Sequence, residues 1–218
     1  MDHMKAFIFD LDGVIVFTDM YHYQAWKQMA DAKGIYFDEE INNRLRGVSR
    51  MESLEIILER YEGPALSEEE KIHMAESKND IYKELLKQMS PSDVTDEVRE
   101  TLAELHNRGY KLAIGSSSKN APFILEKVDL MDAFEAISDG NNIVNSKPDP
   151  EVFIKAAEFI NVEPEACIVV EDAYAGIEAA KAAGMYAAAI GDATTDERAD
   201  FVLNRFGDLL NIPSADMK

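Results

Sequence analysis

Hydrophobic and polar positions along this chain follow two patterns, short apolar runs typical of strands and apolar residues at helical spacing. The pattern changes after the first strand and again near residue 89. The apolar run over residues 6–9 is short and continuous, which is typical of a strand buried on both faces of a parallel sheet. From Met20 to about Met89, apolar residues recur at helical spacing in a polar-rich background. After that, short apolar runs alternate with helical segments, which predicts repeated strand–helix units. The pattern therefore indicates an α/β protein with an all-helical insert after its first strand.

Capping and turn residues set the limits of the predicted elements. In the insert, we expect helices from Met20 to a stop at Gly34, from Asp38 through Leu45, from Ser49 through Tyr61, and from a Ser67–Glu70 capping box toward Met89. Outside it, we expect helices over 97–108, 119–127, 150–160 and 173–183, and strands over 111–115, 134–138, 167–170, 186–190 and 201–203. The fold class is thus a doubly wound parallel sheet, with residues 1–16 and 90–218 in the α/β core domain and residues 17–89 in a helical cap domain.

Composition excludes several classes of partner. The 218 residues carry 22 basic and 42 acidic side chains, a net charge of −20, which disfavours nucleic acid as a partner. No apolar run is long enough to span a bilayer, and the N-terminus lacks a secretory pattern, so we expect no membrane partner. The one cysteine, Cys167, lies in an apolar run and cannot form an internal disulfide. These features predict a cytoplasmic protein, and a monomer is the simplest expectation.

Polar groups follow four of the predicted strands. They are Asp10 and Asp12 with Gly13, then Ser116-Ser117-Ser118-Lys119-Asn120, then Lys147 before Pro148, and then Glu171-Asp172. Taken singly, each has an ordinary explanation, because Asp and Gly end strands, serines form loops, a lysine is commonly solvated and an acidic pair can cap a helix. At one sheet edge, however, they would combine carboxylates for a hard cation such as Mg²⁺ with groups that hold phosphate oxygens. We therefore expect a phosphoryl-transfer site.

The order Asp10-Leu11-Asp12-Gly13-Val14, Ser116, Lys147-Pro148 and Glu171-Asp172 resembles the four motifs of the haloacid dehalogenase (HAD) superfamily, whose core is a Rossmannoid sheet. The helical insert resembles its C1-type cap. A narrower resemblance, to the β-phosphoglucomutase family, rests on Thr18, His22 and Trp26, on Arg46-Gly47-Val48-Ser49-Arg50, and on residues 116–120 and 146–148. The motifs span nearly the whole chain in family order.

The resemblance implies roles for the core residues. Asp10 would be the nucleophile that becomes an aspartyl phosphate, and Asp12 the general acid/base. Mg²⁺ would be held by the Asp10 side chain, the Asp12 backbone carbonyl and Asp172, with Glu171 beside them. Ser116 and Lys147 would hold the transferring phosphoryl oxygens. Ser117, next to Ser116 in the same loop, is a further candidate for binding the substrate or its phosphate, and Ser118, Lys119 and Asn120 would line the cleft.

It also implies roles in the cap. Arg50 would bind the second, non-reacting phosphate, because the guanidinium matches phosphate geometry. A phosphate bound there would also account for an arginine at a helix N-terminus, where the helix dipole favours anions. The backbone of Gly47 and Val48, flanked by Arg46 and Ser49, would face the sugar. Thr18 and His22 would lie near the hinge, with His22 orienting Asp12 or the sugar. His22 and Trp26 are four apart on one helix, so packing is the alternative for both, and for Trp26 it is favoured.

Two positions depart from the family pattern. Arg46 replaces the usual lysine, which keeps the charge but changes reach and hydrogen-bond geometry, and Phe17 replaces the usual aspartate before Thr18. The expected function is a mutase that interconverts β-D-glucose 1-phosphate and glucose 6-phosphate through a 1,6-bisphosphate. The alternative is a Mg²⁺-dependent sugar-phosphate phosphatase, which needs only one phosphate site. A non-catalytic binding module on the same fold is disfavoured because four residues of the motifs are intact, namely Asp10, Asp12, Lys147 and Asp172.

Overall fold

A computed structural model describes residues 4–45 and 48–212 of the chain. The chain divides into two compact units, one of residues 1–17 and 90–218 and the other of residues 18–89. We call them the α/β unit and the helical unit. Arg46 and Gly47, both candidate site residues, lie outside the described residues.

The α/β unit is built on a six-stranded, all-parallel sheet of order β3-β2-β1-β4-β5-β6. The strands are β1 (Ala6–Phe9), β2 (Lys111–Gly115), β3 (Ala136–Ser138), β4 (Cys167–Glu171), β5 (Tyr186–Ala189) and β6 (Phe201–Val202). The first strand therefore lies in the middle of the sheet, as its continuous apolar run predicts. This confirms the expected doubly wound parallel fold.

Both faces of the sheet are buried. On one face, Ala6, Ile8 and Val169 belong to a core cluster with residues of the helices after β3 and β4. On the other, the Phe9 ring packs against Phe206, with ring centroids 5.7 Å apart. Burial on both sides explains why the central strands lack a polar alternation.

Eight α-helices occur among the described residues. They are α1 (Asp19–Ala32), α2 (Glu39–Asn43), α3 (Arg50–Leu58), α4 (Glu68–Leu86), α5 (Asp96–Asn107), α6 (Ala121–Lys127), α7 (Glu151–Phe159) and α8 (Tyr174–Ala182). Helices α1 to α4 form the helical unit around a core that includes Trp26, Met29, Leu54 and Ile57. In the part of the chain that the structure describes, no helix combines the length and apolarity that a bilayer crossing needs.

Several elements are shorter than the sequence pattern predicts. Helix α6 begins at Ala121 and not at 119, because the hydroxyls of Ser116 and Ser118 accept backbone N–H groups of the loop and hold it in turns. Helices α2 and α3 end two and three residues before the predicted Leu45 and Tyr61. Their last residues form tighter turns, such as that closed by the Tyr61 amide on the Leu58 carbonyl.

Candidate active site

The register of the sheet brings the polar strand ends to one edge. Phe9 lies opposite Ile114 of β2 and Val170 of β4, so the residues that follow each strand come at the same level. The Asp10 amide still donates to the Val170 carbonyl at 3.0 Å, which extends the strand up to the carboxylate. Asp10 and Glu171 are thereby fixed by backbone pairing rather than by loop packing.

Lys147 connects the two carboxylates. Its Nζ lies 2.5 Å from Asp10 Oδ1 and 2.9 Å from Glu171 Oε1, and its side chain is 2% exposed. Burial alone would lower the pKa of Lys147, but the adjoining Asp10 and Glu171 carboxylates raise it above its usual value. The lysine therefore stays charged. The Phe153 ring of α7 lies beside it, with its centroid 4.8 Å from Nζ.

Three carboxylates meet at this edge. Oxygen atoms of Asp10, Glu171 and Asp172 lie within 4.8 Å of one another, the one such acidic, Cys or His group among the described residues. Burial raises the pKa of Glu171 to about 7, and burial together with the nearby Glu171 and Asp10 raises that of Asp172 to about 8. One lysine does not neutralise three acids, so the cluster favours a further cation. Mg²⁺ takes oxygen ligands and is commonly held by one or two carboxylates together with a substrate phosphate, so these residues fit the ion.

Two glycines allow the acids to sit where they do. Gly13 has φ +86°, and a Cβ built there would lie 2.0 Å from Asp172 Oδ2. A Cβ on Gly176 of α8 would lie 1.8 Å from Glu171 Oε1. Neither position has space for a methyl group while the carboxylate keeps its place. Gly13 lies in the turn after β1, where its positive φ already favours glycine, whereas at Gly176 only the contact with Glu171 requires it.

The loop after β2 carries buried polar groups. Ser116 and Asn120 are buried, and the Ser117 Oγ is buried with no hydrogen-bond partner in the described part of the chain. Ser118 and Lys119 are tied through their backbones to the loop after β3, where Asn141 Nδ2 donates to the Lys119 carbonyl at 3.0 Å. The loop thus offers hydroxyl groups on a braced backbone.

The helical unit holds a second group of polar residues around His22. Its Nδ1 lies 2.9 Å from Lys78 Nζ, and its ring stacks on Tyr82 with centroids 4.1 Å apart. Burial, followed by the charges of Lys78 and Arg50, lowers the pKa of His22 well below its usual value. His22 is therefore neutral at physiological pH. Trp26 lies in the core of the unit with Lys78 Nζ 4.9 Å from its ring centroid.

Sequence reasoning missed Lys78, which is 3% exposed. A signal was present, because Met74, Lys78, Tyr82 and Leu86 follow one another at intervals of four on α4 and all four are buried. A lysine inside such an apolar row of a helix is unusual, since lysine is rarely buried without a partner.

Arg50 is the first residue of α3, directly after Ser49, which forms a capping box with Glu52. Burial lowers the pKa of Arg50, an effect that the charges of Asp80, Tyr82 and Glu76 oppose. Thr18 precedes α1 and is fully buried, and Val48 precedes the Ser49 cap. Phe17 belongs to the α/β unit, with 72% of its surface exposed.

Asp12, the expected acid/base, lies three residues past the end of β1 and pairs with Val16 through an isolated parallel bridge. Its side chain is not one of the three clustered carboxylates. The expectation assigned metal binding to its backbone carbonyl only, and that assignment stays a prediction.

Comparison with known proteins places these features in a family. The sequence model of the haloacid dehalogenase-like hydrolases matches residues 4–184. The β-phosphoglucomutase of Bacillus subtilis is 42% identical over 94% of this chain and 92% of its own length. A phosphorylated carbohydrates phosphatase of Thermotoga maritima is 35% identical over 84% of this chain and 82% of its own length. The crystal structure of β-phosphoglucomutase from Clostridium difficile superposes with a TM-score of 0.87, at 40% identity, covering 94% of this chain and 93% of that one. With the four motifs in their expected order, the chain belongs to the haloacid dehalogenase-like hydrolase family.

Proposed function

We propose that this protein is a mutase that interconverts β-D-glucose 1-phosphate and glucose 6-phosphate through an aspartyl-phosphate enzyme and a bound 1,6-bisphosphate. The observation that carries the chemistry is Lys147, held between Asp10 and Glu171 at 2.5 and 2.9 Å beside the acidic cluster. The 42% identity to a β-phosphoglucomutase over nearly the whole of both chains supports the choice of reaction.

In the first half-reaction, a carboxylate oxygen of Asp10 forms a bond to the phosphorus of the bisphosphate as the bond from phosphorus to the sugar oxygen breaks. Asp12 donates its proton to that leaving oxygen. In the second, β-glucose 1-phosphate occupies the site and Asp12 takes the proton from its C6 hydroxyl, whose oxygen forms a bond to phosphorus as the bond from phosphorus to Asp10 breaks. Charge develops on the phosphoryl oxygens in both steps, and we assign its stabilisation to Lys147 and the Ser116 hydroxyl.

Mg²⁺ is the proposed cofactor. Asp10, Asp172 and the backbone carbonyl of Asp12 would hold it, with Glu171 alongside. When bound, it supplies positive charge to the transferring phosphoryl group and relieves the repulsion among the carboxylates. Because Glu171 also accepts from Lys147 and from the Asp172 amide, at 2.9 Å in each case, it orients the groups around it.

A mutase needs a second site that binds the phosphate that does not react, and we propose that Arg50 binds this phosphate. Its guanidinium matches a phosphate in geometry, and partial burial strengthens such a pairing. We assign the sugar-facing positions to His22, neutral and held by Lys78, to the segment 46–49, and to residues 118–120. Because Lys78 Nζ donates to His22 Nδ1, the neutral ring carries its proton on Nε2, and in these assignments Nε2 donates a hydrogen bond to the sugar.

A sugar-phosphate phosphatase is the second candidate function. It is supported by the 35% identity to the phosphorylated carbohydrates phosphatase of Thermotoga maritima. The same core would serve, with water replacing the sugar hydroxyl in the second half-reaction. Such an enzyme has no need of Arg50.

One paired assay separates the two functions. The protein is incubated with Mg²⁺, β-glucose 1-phosphate and a trace of bisphosphate, and both glucose 6-phosphate and free phosphate are followed. We expect glucose 6-phosphate to rise without phosphate, and Asp10→Asn to abolish it. Phosphate rising alone would establish the phosphatase, and the absence of both products would refute the assigned substrate.

Arg50→Ala tests the second phosphate site. Loss of a charge-assisted phosphate contact costs about 1.5–3 kcal/mol, so mutase turnover should fall roughly 10- to 100-fold, with little change in any hydrolysis of the aspartyl phosphate. Arg44→Ala is the matched control, because Arg44 is an exposed arginine of the same unit, paired with Glu59 by two contacts of 2.7 Å. Equal losses in both variants would contradict the assignment.

A further inference from the structure

Lys147 lies on a long connection whose position needs an explanation. Residues 139–150 join β3 to α7 and contain no strand or α-helix. Ile143 packs against a core cluster, but the next residue, Val144, is 88% exposed. Packing of the Val144 side chain therefore does not position the backbone that leads to Lys147, and polar contacts to that backbone do.

Glu151, the first residue of α7, supplies those contacts. Its Oε2 accepts the amide of Val144 at 3.0 Å and that of Asn145 at 2.8 Å. Its Oε1 pairs with Lys155 at 3.0 Å, one helical turn further on. Lys155 also donates to the Asn142 carbonyl. One carboxylate therefore fastens the segment 142–145 to the start of α7.

The same helix supports Lys147 from the other side. Phe153 lies two residues after Glu151, and its ring centroid is 4.8 Å from Lys147 Nζ. The Glu151 amide donates to Asp149 Oδ1 at 2.9 Å, which fixes the chain on the C-terminal side of the lysine. Both flanks of Lys147 are thus tied to the first turn of α7.

The Glu151 carboxylate stays ionised under assay conditions. The Asn145 amide, followed by the Lys155 ammonium, lowers the pKa of Glu151 to about 2. Its two backbone hydrogen bonds are therefore charge-assisted, the stronger class of such contacts.

We propose that Glu151 is a positioning residue for phosphoryl transfer: by holding the backbone of Val144 and Asn145, it places the Lys147 ammonium on the phosphoryl group at Asp10. The inference rests on the proposed function only in that Lys147 contacts the transferring group. It adds a residue that touches neither substrate nor metal. Glu151 acts entirely through Lys147.

The test uses fluoroberyllate, a phosphoryl mimic that binds an active-site aspartate, in the presence of Mg²⁺. Glu151→Ala should weaken its binding roughly 10- to 100-fold, as loss of an outer support typically does. Glu151→Gln, which keeps an oxygen acceptor but no charge, should fall between wild type and Glu151→Ala. Glu158→Gln is the matched control, since Glu158 is an exposed glutamate on the same helix, and should stay within about twofold of wild type. Equal binding by Glu151→Ala and wild type would overturn the proposal.

Two further readouts separate positioning from general stability. In a Lys147→Met background, Glu151→Ala should change fluoroberyllate binding by less than about twofold, because the residue has nothing left to position. An effect as large as in the wild-type background would overturn the proposal. Amide hydrogen exchange at Val144 and Asn145 should accelerate in Glu151→Ala but not in Glu158→Gln, and unchanged exchange would equally overturn it.

Fluoroberyllate binding does not depend on which sugar phosphate is the substrate. Wild-type protein that binds the mimic but fails to make glucose 6-phosphate would refute the proposed mutase and leave the Glu151 result intact. Failure of the two proposals is therefore distinguishable.

Discussion

Replacing Gly176 with alanine tests whether the position of Glu171 is set by steric contact with α8. Two effects oppose each other in this variant. Alanine is the better helix former by about 1 kcal/mol, so helix propensity alone predicts a more stable protein. The new Cβ, however, would lie 1.8 Å from Glu171 Oε1 and 2.0 Å from its Cδ, closer than any non-bonded contact.

The structure leaves Glu171 little room to move away. Its side chain is 1% exposed, and it accepts from Lys147 Nζ and from the Asp172 amide at 2.9 Å each. Overpacking costs about 1–3 kcal/mol, and each lost hydrogen bond to a charged group costs about 1.5–3 kcal/mol. These costs exceed the helix gain, so we expect the free energy of unfolding to fall by about 2–4 kcal/mol.

Urea unfolding of Gly176→Ala measures the loss, and a double-mutant cycle identifies its cause. In a Glu171→Ala background the clashing atoms are gone, so Gly176→Ala should be neutral or stabilising by up to about 1 kcal/mol. A wild-type background in which alanine raises stability would refute the steric reasoning. So would a cost of equal size in both backgrounds, because the contact with Glu171 could not then be its source.

Two further predictions concern how stability depends on pH and Mg²⁺, and how much the helix cap at Ser67 contributes. Without divalent cations, the free energy of unfolding should fall as pH rises from about 5 to about 8. The reason is that the folded protein keeps protons on Glu171 and Asp172, whose pKa values are raised to about 7 and about 8, while the unfolded chain has released them. Mg²⁺ should stabilise more at pH 8 than at pH 5, and urea titrations showing no pH dependence in chelator would contradict this. Ser67→Ala should cost about 1 kcal/mol, because Ser67 Oγ accepts the Glu70 amide at 3.3 Å in a capping box. It should leave fluoroberyllate binding unchanged, and a thermal scan with no shift would show that the cap contributes nothing.

The sequence predicts most of the fold because local and tertiary requirements agree there. The run over 6–9 is apolar throughout, and it becomes a central strand with exactly those limits. The capping boxes at Ser49 and Ser67 likewise start α3 and α4 where expected. Predictions were wrong at helix ends such as that of α6, where serine hydroxyls compete for the backbone N–H groups that a helix would use.

Of the candidate site, the sequence predicts only the residues that lie at or after the ends of the strands. Asp10 follows β1 and Glu171 ends β4, so parallel topology brings these two neighbouring strand ends together. Lys147 lies on the connection after β3, which the same topology brings to this edge of the sheet without fixing the contacts of the lysine. Lys78 and Glu151 act through contacts between elements that are distant in sequence or through a loop of irregular shape. Neither helical periodicity nor a short motif specifies such contacts.

The two glycines, Lys147 and the three clustered carboxylates all serve to hold negative charge at one edge of the sheet. Asp10, Glu171 and Asp172 crowd together at considerable cost, as the raised pKa values of Glu171 and Asp172 indicate. Gly13 and Gly176 permit that crowding, because any side chain at either position would push a carboxylate out. Lys147 offsets part of this negative charge. Glu151 keeps Lys147 in the site by binding the backbone amides of Val144 and Asn145. The remaining negative charge is what a divalent cation would neutralise, so changes at Gly176 and Glu151 should impair phosphoryl transfer although neither residue touches the phosphoryl group.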